Sequence, residues 1–188
     1  FQSLSRLLAS GMNVNVFVLD TQVYSNTGGQ ASTSSYTGQN TKMSLHGKAV
    51  DGKQESRKEI AQIAMMHPRT FVAQTTCAHV NHFYKSVLRA MEFDGPSLIN
   101  VFTTCQPEHG VADNMAMDQA KMAVDTRAFP LMIHDPDNGE SLRDRLSLQG
   151  NPAMKEDWWK NPKSGDTVDF IDFCHSEGRF TKHFDKEG

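Results

Sequence analysis

Short apolar runs alternate with amphipathic segments along the first 135 residues, and few folds accept that alternation. Val14, Val16, Phe17, Val18 and Leu19 form a β-branched run ending at Asp20; further runs fall at Thr70 to Gln74, Leu98 to Phe102 and Phe129 to Ile133. Apolar runs this short and dense mark strands buried on both faces. Between them the apolar spacing is helical. Leu4, Leu7 and Leu8 predict a helix closed near Gly11, where a residue without Cβ suits the C-cap. Residues 55–66 predict a second helix with Ile60, Ile63 and Ala64 on one face, stopped by His67-Pro68. Val80 to Phe93 predicts a third with Val87, Leu88 and Met91 inward, and Asp113 to Arg127 a fourth with Asp113 at its N-cap. The order α-β-loop-α-β-α-β-α-β specifies an α/β fold, an open, mostly parallel sheet with helices on both faces.

Beyond Asp135 the pattern dissolves. Residues 136–188 read as an extended C-terminal tail on a 1–135 domain, with one helix expected from Val168 to Phe184. Trp158, Trp159, Phe170, Phe173, Phe180 and Phe184 make this tail conspicuously aromatic. Packing on another domain or subunit is the expectation, with packing on its own chain the alternative. Nineteen Lys and Arg against 22 Asp and Glu leave a net charge of −3, which gives no electrostatic case for nucleic acid or an anionic membrane. No uncharged apolar run approaches membrane-spanning length. Cys77, Cys105 and Cys174 lie far apart and in odd number, which excludes a disulfide framework and fits a reducing cytoplasm. There is no CxxC for an iron–sulfur or zinc site built from this chain alone. The chain opens without Met inside an amphipathic helix, so a piece of a longer protein is expected.

In open α/β sheets ligands bind beyond the carboxyl ends of the strands, here the segments 20–30, 75–81 and 103–110. The first is the most unusual. Asp20 and Thr21 at a strand end offer hard oxygens of the kind Mg²⁺ prefers beside phosphate, and Gly28 and Gly29 would let backbone N–H groups approach a phosphate. The same Asn-Thr-Gly-Gly also reads simply as a turn. Cys77, His79 and His82 have metal-ligand spacing, but no fourth ligand is evident, and a helix N-terminus beside the cleft is the favoured reading. His109 reads as a loop-locking histidine or as a proton carrier. Cys105 lacks an identifiable base, and the Met115 to Met122 stretch reads as a core-facing helix. Neither Gly-x-Ser-x-Gly nor Gly-x-Gly-x-x-Gly occurs.

The string Val-Leu-Asp-Thr-Gln-Val-Tyr-Ser-Asn-Thr-Gly-Gly-Gln at 18–30 resembles the hallmark of pyruvate:ferredoxin oxidoreductases, in the domain that binds the diphosphate of thiamine diphosphate. Leu-Leu-Ala-Ser-Gly at 7–11, Gly-Pro-Ser-Leu-Ile at 95–99 and Cys-Gln-Pro-Glu-His-Gly at 105–110 resemble neighbouring segments of that domain, so the resemblance covers about residues 1 to 135. It implies a thiamine-diphosphate-binding fold, truncated at its N-terminus. It implies Mg²⁺ held by the Thr21 hydroxyl, the Val23 carbonyl and an Asp from a Gly-Asp-Gly motif expected upstream of Phe1. Asp20, Thr21, Val23, Tyr24, Ser25, Asn26 and Gly28 would then bind the cofactor, with Asn26 the catalytic residue that helps hold a 2-oxoacid. The activity implied is oxidative decarboxylation of a 2-oxoacid, pyruvate foremost, to acyl-CoA and CO₂, with electrons passed to ferredoxin or flavodoxin. Iron–sulfur clusters and the coenzyme A site would lie on other domains or subunits of a cytoplasmic homo-oligomer of anaerobic metabolism, and the isolated chain would be inactive. The rival reading is a non-catalytic phosphate- or nucleotide-binding doubly wound module.

Overall fold

The computed structural model describes residues 1–43, 50–153 and 155–184. The chain divides into two compact units. Unit 1 comprises Phe1–Leu19, Glu59–Phe102 and Pro130–Asn151; unit 2 comprises Asp20–Lys58, Thr103–Phe129 and Pro152–Gly188. Gly47, which belongs to the polar stretch after the first strand, lies outside the described residues.

Unit 1 carries α1 (Gln2–Leu8), β1 (Asn15–Asp20, whose last residue opens unit 2), α2 (Ile60–Met65), β2 (Phe71–Thr76), α3 (Val80–Glu92) and β3 (Ser97–Phe102). The sheet is ordered β1-β3-β2 and continues through β4 (Met132–His134) and β5 (Leu146–Ser147). β2 and β3 pair in parallel from Phe71 opposite Ser97 to Thr76 opposite Phe102. Ser97 N donates to Val14 O and Thr103 N to Asp20 O, so β1 also runs parallel to β3. Every residue of β2 and β3 is buried, as their apolar runs require. On one face Val72 and Leu98 pack with Leu8, Ala61 and Ala64 of α1 and α2; on the other Phe71, Ala73, Ile99 and Val101 pack with Ala90 and Phe93 at α3. Helices thus cover both faces of a mainly parallel sheet.

Several local expectations change. The fourth apolar run forms a strand antiparallel to β2, pairing Val72 with His134 and Gln74 with Met132, because apolar periodicity carries no strand direction. β1 alternates exposed and half-buried residues, with Phe17 48% and Leu19 68% exposed; it is an edge strand, not one covered on both faces. α2 begins at Ile60 rather than near residue 55, because Lys58 N donates to Thr33 O and Arg57 reaches Ser34 O and Asp20. α3 turns Ser86 and Ala90 inward and leaves Leu88 and Met91 exposed, since its buried stripe follows 83, 87 and 90 rather than 87, 88 and 91.

In unit 2, residues 21–43 and 50–58 contain no named helix or strand, and side-chain hydrogen bonds to backbone organise them instead. Ser35 Oγ donates to Gln22 O, Lys53 Nζ to Ser35 O and Tyr36 Oη to Ala128 O. α4 (Gln106–His109) and α5 (Ala116–Asp125) follow. Asp113 opens a 3₁₀ turn ahead of α5 and makes no side-chain cap. The buried face of α5 is Gln119, Ala120, Ala123 and Val124, while Met115 and Met117 are exposed, so the methionine-rich stretch faces the core only in part. α6 (Leu142–Arg145) lies in unit 1 ahead of β5. β6 (Trp159–Lys160) and β7 (Thr167–Val168) form a small hairpin in unit 2. The single helix expected near the C-terminus is two pieces, α7 (Phe170–His175), capped by Asp169, and a 3₁₀ turn at Gly178–His183. Phe173 and Phe180 are buried with their rings 6.0 and 6.4 Å from that of Tyr36. Trp158 and Phe170 remain 44% and 40% exposed.

Candidate functional site

β1 delivers the chain to a turn built on a buried ion pair. The Asp20 carboxylate is almost fully buried; its Oδ2 accepts from Arg57 Nη2 at 2.7 Å and its Oδ1 from Gln22 N at 3.1 Å. Arg57 in turn lies over the rings of Tyr36 and Phe129, 4.8 and 5.4 Å from their centroids. Asp20 therefore spends its charge on shaping the turn.

Two residues on, Gln22 is fully buried at φ 52°, a left-handed conformation that costs a non-glycine residue roughly 1–2 kcal/mol. Its side chain donates back to Asp20 O, and its carbonyl accepts from Ser35 Oγ at 2.5 Å and Gln39 Nε2 at 3.0 Å. The reversal at Gln22 brings its two neighbours together: Thr21 Oγ1 donates to Val23 O at 2.8 Å. Cis ligands of an octahedral Mg²⁺, each about 2.0–2.1 Å from the metal, stand about 2.9 Å apart. The hydroxyl and carbonyl expected to bind metal lie at a separation compatible with such an edge, which is also that of the hydrogen bond between them. Both are hard, neutral oxygens, which fits a cation that also carries phosphate. Among the described residues no group of three or more His, Cys, Asp or Glu is poised to hold a metal.

The remaining residues of the segment form a tight loop. Tyr24 bridges Gln30, its N–H donating to Gln30 O at 3.0 Å, and the residue is 57% exposed. Ser25 Oγ is buried and has no hydrogen-bond partner among the described residues; an unmet hydroxyl of this kind is a candidate ligand contact. Asn26 and Gly28 are exposed. The N–H groups of Gly28 and Gly29 donate to Ser25 O and Tyr24 O, so both amides close the turn rather than stand free for a phosphate. At Gly29, φ 84°, a Cβ would meet Glu108 Oε2, so the end of that side chain would have to shift. Glu108 pairs through Oε1 with Lys42 at 2.9 Å.

His109 is fully buried, and its Nε2 donates to Thr21 O at 2.8 Å. Burial, followed by the nearby Arg179 charge, pushes its pKa down to about 3. It is a neutral loop-locking donor, the first of its two sequence readings. Behind the turn, Arg179 Nη1 reaches Gln39 Oε1 at 3.1 Å and Gln22 Oε1 at 3.4 Å, and its Nε pairs with Glu177. Gln22 lies in the 18–30 string without an assigned role, and Gln39, Arg57 and Arg179 lie outside it. A left-handed glutamine leaves no local trace in a sequence, and the supports of this turn come from as far along as Arg57 and Arg179.

The other candidate segments are quieter. In unit 1, His79 and His82 hydrogen-bond Thr76 and Thr75 at the end of β2, at 2.9 and 3.0 Å. Together with Asn81, Lys85, Leu131 and Ile133 they line a cavity of about 520 Å³. Cys77 is exposed and Cys105 half-buried, while Cys174 is buried with its thiol pushed up to about 12, an inert cysteine.

Residues 1–101 match the family of thiamine pyrophosphate enzymes in their C-terminal TPP binding domain. The chain is 35% identical over 183 residues to pyruvate:ferredoxin oxidoreductase of Moorella thermoacetica, covering 96% of this chain and 14% of the relative. It is 37% identical over 156 residues to the probable pyruvate-flavodoxin oxidoreductase of Escherichia coli K12, covering 82% and 13%. To the pyruvate synthase subunit PorB of Thermotoga maritima it is 35% identical over 130 residues, covering 69% and 40%. It thus spans only a small part of the curated relatives it matches. In fold it resembles 2-oxoglutarate:ferredoxin oxidoreductase from Magnetococcus marinus, solved with 2-oxoglutarate, coenzyme A and succinyl-CoA bound, at a TM-score of 0.50 and 20% identity over 55% of this chain and 34% of that one.

Proposed function

Because this chain belongs to the thiamine pyrophosphate enzymes through their C-terminal, TPP-binding domain, we propose that it is the diphosphate-anchoring part of a 2-oxoacid:ferredoxin or flavodoxin oxidoreductase, with pyruvate as substrate. The observation that carries the reading is the Thr21–Val23 edge, with 2.8 Å between two hard oxygens on a turn held in an otherwise unfavourable conformation. Thr21 and Val23 would hold Mg²⁺, and the metal would serve as a template for the diphosphate. The buried Ser25 hydroxyl would contact the cofactor, and the exposed loop residues Tyr24, Asn26 and Gly28 would border it. Asn26 would orient the 2-oxoacid, and Asp20 would act from behind by fixing the turn. Thiamine diphosphate supplies the carbon centre at which 2-oxoacids lose CO₂; this chain supplies anchoring and one wall of the pocket. The third metal ligand, the iron–sulfur clusters, the coenzyme A site and the docking of ferredoxin or flavodoxin belong to the rest of the enzyme, whose other domains or subunits would also cover the exposed aromatic residues of the 136–188 segment. The relatives named for pyruvate, at 35% and 37% identity, support that substrate choice.

The experiment is Thr21→Val in the full-length enzyme, followed by calorimetric titration of thiamine diphosphate at graded Mg²⁺. Loss of one metal ligand raises the half-saturating Mg²⁺ at least about tenfold, while Asn26→Ala leaves it unchanged and lowers pyruvate-dependent reduction of ferredoxin. An unaltered Mg²⁺ requirement in Thr21→Val would remove the basis of the reading.

A further inference from the structure

The turn that presents the Thr21–Val23 edge is not self-supporting. Gln22 donates its backbone N–H and side-chain amide to Asp20, but the groups that hold its far side come from elsewhere in unit 2. Its carbonyl is held by Ser35 and by Gln39 Nε2. The amide oxygens of both Gln22 and Gln39 face one nitrogen, Arg179 Nη1, at 3.4 and 3.1 Å. Arg179 is itself buried. Glu177 pairs with its Nε at 2.5 Å, and its guanidinium carbon lies 5.3, 5.9 and 5.3 Å from the ring centroids of Tyr36, Phe173 and Phe180. Its backbone carbonyl accepts from Asn40 N at 2.8 Å, beside Gln39. A guanidinium presents its donors in a rigid planar fork, so a residue fixed on this many sides fixes the two amides in turn. A buried charge is costly to maintain; Arg179 Nη2 and Glu177 Oε1 find no hydrogen-bond partner among the described residues, while Nη1 is directed at the two amides that flank the turn.

We propose that Arg179, with Glu177 as its counterion, is a positioning residue for the metal edge: through Gln22 and Gln39 it holds the turn at the spacing that suits Mg²⁺. The inference rests on the reading of Thr21 and Val23 as metal ligands. Its consequence is one of size. Mg²⁺ demands oxygens at about 2.0–2.1 Å in strict octahedral order, whereas Ca²⁺ accepts about 2.3–2.6 Å in looser arrangements. An edge released from Arg179 keeps its donors and loses its spacing, so affinity and ion preference change together.

The test uses the full-length enzyme and measures half-saturating Mg²⁺ and Ca²⁺ for thiamine diphosphate binding, by calorimetry. Glu177→Gln with Arg179→Met removes both charges at once and leaves no buried carboxylate unpaired. The expected result is a rise of about tenfold in half-saturating Mg²⁺, the scale of an outer-shell metal-site mutation, with a smaller rise for Ca²⁺. Adding Gln22→Gly, which accepts a positive φ unaided, restores part of the Mg²⁺ affinity; a tail that merely stabilised the fold would not be rescued at residue 22. Gln39→Leu, which leaves the ion pair intact, shifts the same ratio should the double variant not fold. Thr21→Val serves as the reference. If Thr21→Val raises the Mg²⁺ requirement while neither Gln39→Leu nor any folded variant of the Arg179 pair does, the proposal is overturned and the site reading stands. If Thr21→Val is also silent, both are overturned.

Discussion

Replacing the Asp20–Arg57 pair tests whether the turn is held by charge or by shape. The side chains are 2% and 6% exposed and their charged atoms 2.7 Å apart. With charge centres about 4 Å apart and an effective dielectric of about 20, the attraction is about 4 kcal/mol. Removing either partner strands a buried charge, so Asp20→Asn and Arg57→Met should each destabilise by about 3–5 kcal/mol. The double variant strands no charge, although Ser34 O loses its Arg57 donor. The substituted amide still accepts from Gln22 N, and the thioether falls between the Tyr36 and Phe129 rings that now flank the guanidinium, a setting that suits sulfur. Its loss should be smaller than the sum of the singles by about 2–4 kcal/mol. Urea unfolding of the four proteins closes the double-mutant cycle. A coupling below about 0.5 kcal/mol would refute the assignment of the pair as the frame of the turn. The folded double variant also isolates the role of Asp20. If its carboxylate acts only through the turn, thiamine diphosphate affinity is retained in the double variant and lost in Asp20→Asn alone.

Three further outcomes follow from the geometry. Gly29→Ala places a Cβ against the Glu108 carboxylate at φ 84° and should cost about 1–3 kcal/mol; a melting temperature equal to wild type would show that Glu108 yields freely. Tyr36→Phe leaves the Ala128 carbonyl without the hydroxyl that now lies 2.7 Å away, a loss of about 1–2 kcal/mol by urea unfolding, and an unchanged midpoint would contradict it. His134 is buried and donates through Nδ1 to Thr70 O, and burial, set against that bond, holds its pKa below the usual histidine value. The unfolded chain therefore takes up the proton first: the contribution of neutral His134 is complete above about pH 6.5 and declines below it by up to about 1.4 kcal/mol per pH unit. His134→Asn should flatten stability against pH between about 7 and 5, and an unaltered slope would count against a neutral buried His134.

How much of this is written locally varies by element. β2 and β3 are legible because both of their faces are buried, so their apolar content carries the whole signal. β1 has a similar composition and sits at the sheet edge, where Phe17 and Leu19 are exposed; a run of valines does not say what will cover it. The direction of β4 is invisible for a similar reason, since three residues read alike forwards and backwards. At the site, the family resemblance of the 18–30 string points to Thr21 and Val23, whose contact in the structure spans two residues. The frame behind them is assembled from Arg57, Gln39 and Arg179, and no spacing rule links residue 22 to residue 179.

That last separation has a temporal meaning. Gln22 and Arg179 are 157 residues apart, and a ribosome adding about 5–20 residues per second takes about 8–30 s to cover the distance. For most of that interval the nascent chain holds the whole 18–30 string without the guanidinium that contacts Gln22 from behind. On the proposed role of Arg179, loading with cofactor would wait until this stretch has been made in full, and a ribosome that stalls before residue 179 would leave a chain that carries the motif without its proposed support.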